Sequence, residues 1–581
     1  MENTRRYAVI TCDSCHLDSL YNDLETAGGN ECIPEREVVC AERRSNSKIT
    51  LYELTEEEAN NLQNDSRISH VEDYDYTNLI TEKELTYEQY STSYDKGASQ
   101  NSNHINWGLL RCTEGENRYA WGADGFSSQT GISTVTCTGK NVDVVIIDTA
   151  MDGNHPEFAV NADGTGGSRF VEYNWFQHRY NVNSNHPAQY NYAAHLAAAT
   201  SDHGTHVAGT VAGNTQGWAR DANIYNLDIF GPGTADAPDL NGDEAFEYIK
   251  EFHENKPVNP VTGRKNPTIV NNSWGTLFTY QRVTHVSAAS TGRPVEQVTY
   301  RGTTYDGPFT IDQLESYGIM TATSTGGVYG QGEVKIPAQT ISIIVAIEEM
   351  IDVGVISVAS AGNDKLKICK LSNEADWSNR YFGDTRSLFA NDYVVGRYGY
   401  YHRGSSVCAA PMDSYPNPST FPQKSPICVG ATNSAVVDAK RSFSDCGPRV
   451  DIFAPGTNIQ SARTSSFLTV PDPRNSQYYL SKQNGTSMSC PQVCGILACM
   501  LELYPRKGPA DIRRYLEAHS KQNQLLDTGG GYTDENSLQG AKNLYLFHKV
   551  ERDSEGVLVP RTKEWFRPSE GQTWPRKRYL Y

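Results

Sequence analysis

Three side chains able to act together on a carbonyl group stand far apart in this chain. Val144-Val145-Ile146-Ile147-Asp148-Thr149 ends an apolar run in a carboxylate, Asp202-His203-Gly204-Thr205-His206-Val207-Ala208-Gly209 carries an imidazole, and Asn484-Gly485-Thr486-Ser487-Met488-Ser489 carries a hydroxyl. A serine hydroxyl is a poor nucleophile at neutral pH, so a base must take its proton as it attacks. His203 suits that role. Asp148, held at the end of a buried strand, suits the task of fixing the imidazole tautomer and stabilising the imidazolium. The tetrahedral intermediate places negative charge on the former carbonyl oxygen and calls for preorganised donors. Asn363, which closes Val355-Ile356-Ser357-Val358-Ala359-Ser360-Ala361-Gly362-Asn363, carries a suitable amide.

Each block alone has a plainer reading. A single Gly-Thr-Ser or Ala-Gly-Asn is more often a turn than a catalytic loop, and His206 reads as a structural neighbour of His203. A metal at this histidine pair is disfavoured because the His-Glu-x-x-His pattern is absent. The plain readings fail when the blocks are taken jointly.

In that order, the blocks resemble those of the subtilisin family (subtilases). Asp148-Thr149-Ala150 followed by His155-Pro156-Glu157-Phe158 is similar to the family's aspartate block, with Ala150 where the family has glycine. The histidine block matches throughout, and Asn484-Gly485-Thr486-Ser487-Met488-Ser489-Cys490-Pro491 departs only at Ser489 and Cys490. The resemblance implies Asp148, His203, Ser487 and Asn363 as catalytic residues of a serine endopeptidase. It further implies that Ser273-Trp274-Gly275 pairs with a peptide substrate, and that Ser360-Ala361-Gly362 lines the base of the primary specificity pocket. Gly231-Pro232-Gly233 falls where the opposing substrate strand lies in the family. No acidic residue occurs in these matched segments, so a preference for basic side chains is not argued.

Elements that position these groups are legible as apolar runs. Val142 to Ile147, Ile224 to Ile229, Pro267 to Val270, Val353 to Ala359, Ile427 to Ala431 and Val450 to Phe453 alternate with helical segments such as Ala245 to Phe252 and Ile341 to Ile351. That alternation predicts α/β architecture, a parallel sheet covered on both faces in the three-layer manner of a subtilase domain. A helix opening at the nucleophile places Ser487 at its N-terminus, where its own N–H joins Asn363 as an oxyanion donor. Upstream, Tyr7 to Cys12, Glu37 to Glu42, Ile49 to Leu54 and Ser69 to Tyr74 read as strands. Leu17, Leu20, Tyr21 and Leu24 have helical spacing, and Thr55 caps a second helix. The order βαββαβ predicts a small α+β ferredoxin-like domain. Its position before the catalytic blocks resembles the subtilase propeptide, which implies an intramolecular inhibitor and a zymogen that cleaves itself.

The expected organisation is residues 1–76 as the propeptide-like domain and 77–103 as a polar linker with the processing site. Residues 104–545 form the catalytic domain and 546–581 a tail of aromatic and basic residues. Relative to a minimal subtilase, extra material lies at 112–138, 159–200, 276–335 and 365–420. Long loops of this kind serve as rims, lids or partner surfaces, or are tolerated decoration. With 581 residues, 38% hydrophobic, 48 Gly and 26 Pro, the chain fits a large globular enzyme. A net charge of −18 argues against nucleic acid as a partner. The sequence lacks an apolar run of about 18 residues, so no membrane partner is expected. Nor does an apolar core of signal-peptide length follow Arg5-Arg6, which predicts an intracellular or assembly-associated protein.

Of the 13 cysteines, Cys490, Cys494 and Cys499, at spacings suited to one packed helix, read as small buried thiols better than as a disulfide framework. Cys12, Cys15, Cys32 and Cys40 have spacing too loose for zinc. No cofactor is called for. Structural calcium stays open, although the calcium loop that follows the histidine helix in the family has no counterpart in Gly209 to Gly217. Asp239-Leu240-Asn241-Gly242-Asp243 reads as a helix entrance rather than a calcium loop. Asn-x-Ser/Thr patterns at Asn64, Asn271 and Asn484 carry little weight, two of them lying inside catalytic motifs. A competing expectation is a subtilase-fold component of a larger assembly or virion, docked through the insertions or the tail, with its protease latent.

Overall fold

The computed structural model describes residues 4–44, 47–74, 79–81, 107–114, 137–199, 201–231, 233–235, 237–281, 296–319, 333–386, 393–409, 424–434, 437–464, 470–548, 551–552 and 558–559. At its centre lies an eight-stranded sheet. The spatial order is Lys521–Gln522, Leu544–Tyr545, Ile452–Pro455, Ile427–Thr432, Ile356–Ser360, Thr268–Asn272, Asp143–Asp148 and Asn223–Asp228. Every pairing is parallel except that of Lys521–Gln522 with Leu544–Tyr545. Parallel strands covered on both faces need apolar side chains on both, which is why Val144 to Ile147 is an unbroken buried run. As expected from the sequence, this is a three-layer α/β domain.

Two long helices cross this sheet close to the site, His203–Ala212 and Thr486–Leu503, and they pack on each other. Contact is tight at Gly495, where a Cβ would lie 2.7 Å from the Val211 carbonyl oxygen. Pro491 is the sixth residue of Thr486–Leu503, inside the helix, and the Ser487 carbonyl that its missing N–H leaves without an intrahelical partner accepts the Ser273 hydroxyl at 3.0 Å instead. Cys490, Cys494 and Cys499 on that helix are buried thiols as read. By length and composition Thr486–Leu503 could cross a membrane, a pattern the sequence reading did not register, but 89% of it is buried as the central helix of this core.

Helices Gly242–Asn255 and Ile341–Asp352 pack together, and the first opens on the Asn241–Glu244 capping box, so Asp239 to Asp243 is indeed a helix entrance. Tail residues Leu546 and Phe547 are buried, and the His548 N–H donates to the Cys112 carbonyl at 2.8 Å. Residues 560–581, with the rest of the proposed docking tail, lie outside the described residues.

The cysteines outside Thr486–Leu503 vary: Cys12 and Cys15 are exposed, Cys32 and Cys40 are half-buried, and one pair is bonded. Cys408 and Cys428 form a disulfide, which ties the end of the 365–420 insertion to the central strand Ile427–Thr432. Among the described residues, no group of three or more His, Cys, Asp or Glu is arranged to hold a metal ion.

The insertions at 276–335 and 365–420 build a second, antiparallel sheet rather than separate loops. Its path runs Thr303–Asp306, Gln297–Tyr300, Arg380–Arg386, Trp274–Gln281 and Glu333–Pro337, with Tyr393–Tyr400 on Arg380–Arg386. Val298, Phe309, Leu314, Ile319, Ile336, Tyr381 and Tyr401 form its own small core.

The N-terminal unit is a four-stranded antiparallel sheet in the order Val39–Arg43, Ile49–Leu54, Arg5–Thr11, Ile68–Asp73, with helices Leu17–Glu25 and Glu56–Leu62. Thr55 and Glu58 form a capping box. The unit docks on helices Gly242–Asn255 and Ile341–Asp352. The Glu72 carboxylate accepts the N–H groups of Ile341 at 2.6 Å and Ser342 at 2.7 Å, supplying a cap the second helix does not provide for itself. Arg44, fully buried, donates to Asp243 and Glu247 at 3.0 Å each, to Glu42 at 2.6 Å and to the Tyr74 hydroxyl at 2.8 Å. Beyond this unit, Leu79–Thr81 pairs antiparallel with Trp274–Gln281, placing Leu79 opposite Thr276, Ile80 opposite Gly275 and Thr81 opposite Trp274. The rest of the 77–103 linker lies outside the described residues.

Candidate active site

Asp148 is the last residue of its strand and is completely buried. Its Oδ1 accepts the Thr149 N–H at 2.8 Å, and His203 Nδ1 lies 2.7 Å from Oδ1 and 3.0 Å from Oδ2. A carboxylate only accepts, so Nδ1 carries the proton and Nε2 is left with the lone pair of a base. The turn after the strand is held by Thr149 and Gly204 of the two blocks and by Asn226, which lies outside them. Thr149 Oγ1 accepts the Gly204 N–H at 2.9 Å, and the Asn226 side chain donates to the carbonyls of Ile146 and Thr149 while accepting the Met151 N–H. Gly204 is required by contact, since a Cβ there would stand 2.1 Å from the Thr149 carbonyl oxygen. Ala150, which replaces the family glycine, has no positive φ, so the turn is built without strain at that residue.

His206 Nε2 donates to the carbonyl oxygens of Ile459 at 3.0 Å and Ser481 at 3.2 Å. Burial pushes its pKa down to about 3 and keeps the ring neutral. It braces the His203 helix. Glu157 sits under the Gly213 to Gly217 turn, accepting the N–H groups of Thr215 and Gln216 at 3.0 Å each, and it pairs with Arg474. Its carboxylate is thus already neutralised by a guanidinium.

Ser487 is the second residue of Thr486–Leu503. Its Oγ donates to the Ser273 carbonyl at 3.2 Å, and Ser273 Oγ returns a bond to the Ser487 carbonyl at 3.0 Å. Asn363 is oriented from the same helix end. Its Oδ1 accepts the Thr486 N–H at 2.9 Å and the Thr486 hydroxyl at 3.0 Å. Because a backbone N–H can only donate, this settles which way the amide faces. Asn363 Nδ2 is left buried with no hydrogen-bond partner among the described residues. An unsatisfied buried donor costs about 1–3 kcal/mol, a cost that an incoming carbonyl oxygen relieves. Gly362 makes the approach possible, with φ of +124° and an Asp445 oxygen 2.2 Å from where a Cβ would stand.

Ser360, Ala361 and Gly362 follow one another at the buried C-terminal end of strand Ile356–Ser360. Ser273, Trp274 and Gly275 open the strand Trp274–Gln281 of the insertion sheet. The Trp274 indole is buried against Phe246, ring centroids 6.0 Å apart, so what this segment offers a peptide is backbone. Gly231 continues from strand Asn223–Asp228, and Pro232 lies outside the described residues. The structure therefore joins Asp148 with His203, and Ser487 with Asn363 and Ser273, at the C-terminal edge of the sheet.

Residues 139–541 match the profile of the Subtilase family. Subtilisin-like protease 8 of Arthroderma otae is 31% identical over 147 residues, 22% of this chain and 28% of that protein. Subtilisin of Bacillus pumilus is 34% identical over 154 residues, 26% of this chain and 50% of that protein. The matched stretches thus span half or less of those relatives' lengths. Among solved structures, fervidolysin from Fervidobacterium pennivorans, a keratinolytic enzyme related to subtilisin, is 16% identical with a TM-score of 0.40. That match covers 93% of this chain and 60% of the other.

Proposed function

The chain belongs to the subtilase family, and we propose that it is a serine endopeptidase made as a zymogen that cleaves itself. The observation that carries the proposal is the buried Asp148–His203 pair together with Asn363 Nδ2, which has no hydrogen-bond partner among the described residues, at the N-terminal end of the Ser487 helix. In the proposed reaction Ser487 Oγ gives its proton to His203 Nε2 and attacks the peptide carbonyl carbon. Asn363 Nδ2 and the Ser487 N–H take the charge that develops on oxygen. The imidazolium, stabilised by Asp148, then protonates the leaving amine, and water repeats the sequence on the acyl-enzyme.

The N-terminal unit supports the zymogen part of the reading. Strand Leu79–Thr81 leaves it and runs along Thr276 to Trp274, heading toward Ser273, whose carbonyl accepts from Ser487. We place the processed bond after Thr81 and before residue 104, with residues 1–76 as the inhibitor. Protein or peptide is the substrate class, bound as a strand added to Ser273-Trp274-Gly275.

The test is intact mass with fluorophosphonate labelling of the wild-type chain. Loss of roughly the first hundred residues, with label on Ser487, is expected. A chain that stays whole and unlabelled, even after limited proteolysis of the N-terminal unit, refutes the proposal. Asn363→Ala is expected to lower kcat about 10²–10³-fold with KM little changed, because it removes a donor used in the transition state. Steady-state kinetics on a chromogenic peptide check this.

A further inference from the structure

A second buried histidine–carboxylate pair lies beside the first. Asp228 ends strand Asn223–Asp228 and is the register partner of Asp148 on the adjoining parallel strand. Neighbouring partners in a sheet point to the same face, so both carboxylates leave the sheet on one side. Asp228 Oδ2 lies 2.9 Å from His195 Nδ1, and Oδ1 accepts the Phe230 N–H at 2.9 Å. The Asp228 N–H donates to the Tyr190 hydroxyl at 3.1 Å, and the Tyr190 ring stacks on His195 with centroids 4.5 Å apart and planes 10° from parallel.

His195 is fully buried and comes from helix Tyr192–Ala198, within the 159–200 insertion. Its ring packs on the backbone at Gly231, where a Cβ would stand 2.9 Å from His195 Cε1 and 3.1 Å from Nδ1. On the other side, the Ile229 N–H donates to the Asp148 carbonyl at 3.2 Å. The stretch Ile229 to Gly231 is therefore clamped between the Asp148 strand and the insertion, at the edge of the sheet where the first pair lies. A buried histidine and carboxylate are costly unless paired, and this pair's bonds converge on one short length of backbone.

We propose that His195 and Asp228 are positioning residues that set Ile229 to Gly231 as the wall of the peptide cleft opposite Ser273-Trp274-Gly275. Neither touches the reacting atoms. Their loss weakens the binding of peptides long enough to reach that wall and leaves the chemical step in place. This rests on the protease reading above and adds to it a specificity role for the 159–200 insertion.

The test compares processed wild type with His195→Ala, Asp228→Ala and His195→Asn on chromogenic peptides carrying one to five residues ahead of the scissile bond. For the longer peptides His195→Ala and Asp228→Ala are expected to raise KM about tenfold with kcat within about twofold, and the shortest peptide is expected to be unaffected. His195→Asn, whose amide offers a donor near the place of Nδ1, is expected to recover part of the loss. Unchanged KM for long peptides, or a fall in kcat equal at every length, overturns the proposal. Hydrogen exchange at the Phe230 amide gives a readout that needs no activity, and protection there is expected to drop in both primary variants. Should wild type neither hydrolyse peptides nor take fluorophosphonate, the protease reading fails, and wild-type protection at Phe230 in both variants then overturns the clamp as well.

Discussion

Ser487→Ala is expected to leave the chain at full length, unreactive to fluorophosphonate, with peptide hydrolysis lower by on the order of a millionfold. The scale follows from what the hydroxyl does. Without it no acyl-enzyme forms, and His203 has only water to deprotonate. Asn363 Nδ2 and the Asp148–His203 pair remain in position, so a residual rate of roughly 10³–10⁴ over the uncatalysed reaction should survive. His203→Ala should cost nearly as much, and combining the two should cost little more, because nucleophile and base act as a unit. Asp148→Asn is expected to lose about 10⁴ in kcat, since an amide there can donate to Nδ1 and favour the wrong tautomer. The measurement is kcat and KM on one chromogenic peptide, with intact mass on the same samples. Hydrolysis retained by Ser487→Ala, or self-cleavage in that variant, removes Ser487 from the role of nucleophile.

Much of this site was legible because its parts are local. Val144 to Ile147 announces a strand buried on both faces, and Gly204 and Gly362 sit where a side chain would strike a neighbour. Strand limits differed by a residue or two, Asp143–Asp148 against Val142 to Ile147, because the hydrogen-bond ladder, not hydrophobicity, decides where a strand ends. What stayed hidden depends on pairing across long stretches of chain. Trp274–Gln281 joins Arg380–Arg386 and Leu79–Thr81 in one sheet, and nothing in a strand's own residues names its partner. The Cys408–Cys428 bridge was missed for the same reason, since cysteine spacing alone leaves connectivity open. Asn226 and Asp228 did leave a trace, as polar residues within the otherwise apolar run Ile224 to Ile229. Their partners, the turn after Asp148 and the insertion helix, could not be read from it.

Release of the N-terminal unit is expected to grow easier as pH rises from about 4.5 to about 8, and Arg44→Met is expected to loosen it at every pH. Among the described residues, the interface sets the Arg44 guanidinium against an excess of carboxylates. Arg44, Glu42 and Tyr74 come from the N-terminal unit, Asp243, Glu244 and Glu247 from helix Gly242–Asn255, and Glu349 from helix Ile341–Asp352, where it pairs with Lys250. His186 lies 3.8 Å from Glu244, but burial pushes its pKa down to about 4, so it adds no positive charge near neutrality.

Burial outweighs the pull of Arg44 at Glu247, raising its pKa to about 8, and Glu247 Oε2 accepts no hydrogen bond among the described residues. Burial also raises Glu72 to about 7 and shifts Glu42 and Glu244 upward. Released into water these carboxyls return to the ordinary range, so the docked state holds protons that the open state gives up. Docking is then strongest below the free pKa, weakens about tenfold per pH unit for each proton lost, and levels off above the docked values. Arg44→Met leaves Asp243 buried without its cation, a change worth about 3–5 kcal/mol of docking. Ser487→Ala keeps the chain whole for the measurement. Exchange at the Ile341 and Ser342 amides, which Glu72 caps only when the unit is docked, reports opening once corrected for the intrinsic pH dependence of exchange. Opening that is flat or falls between pH 5 and 8 would show that the carboxylates at this interface do not control release.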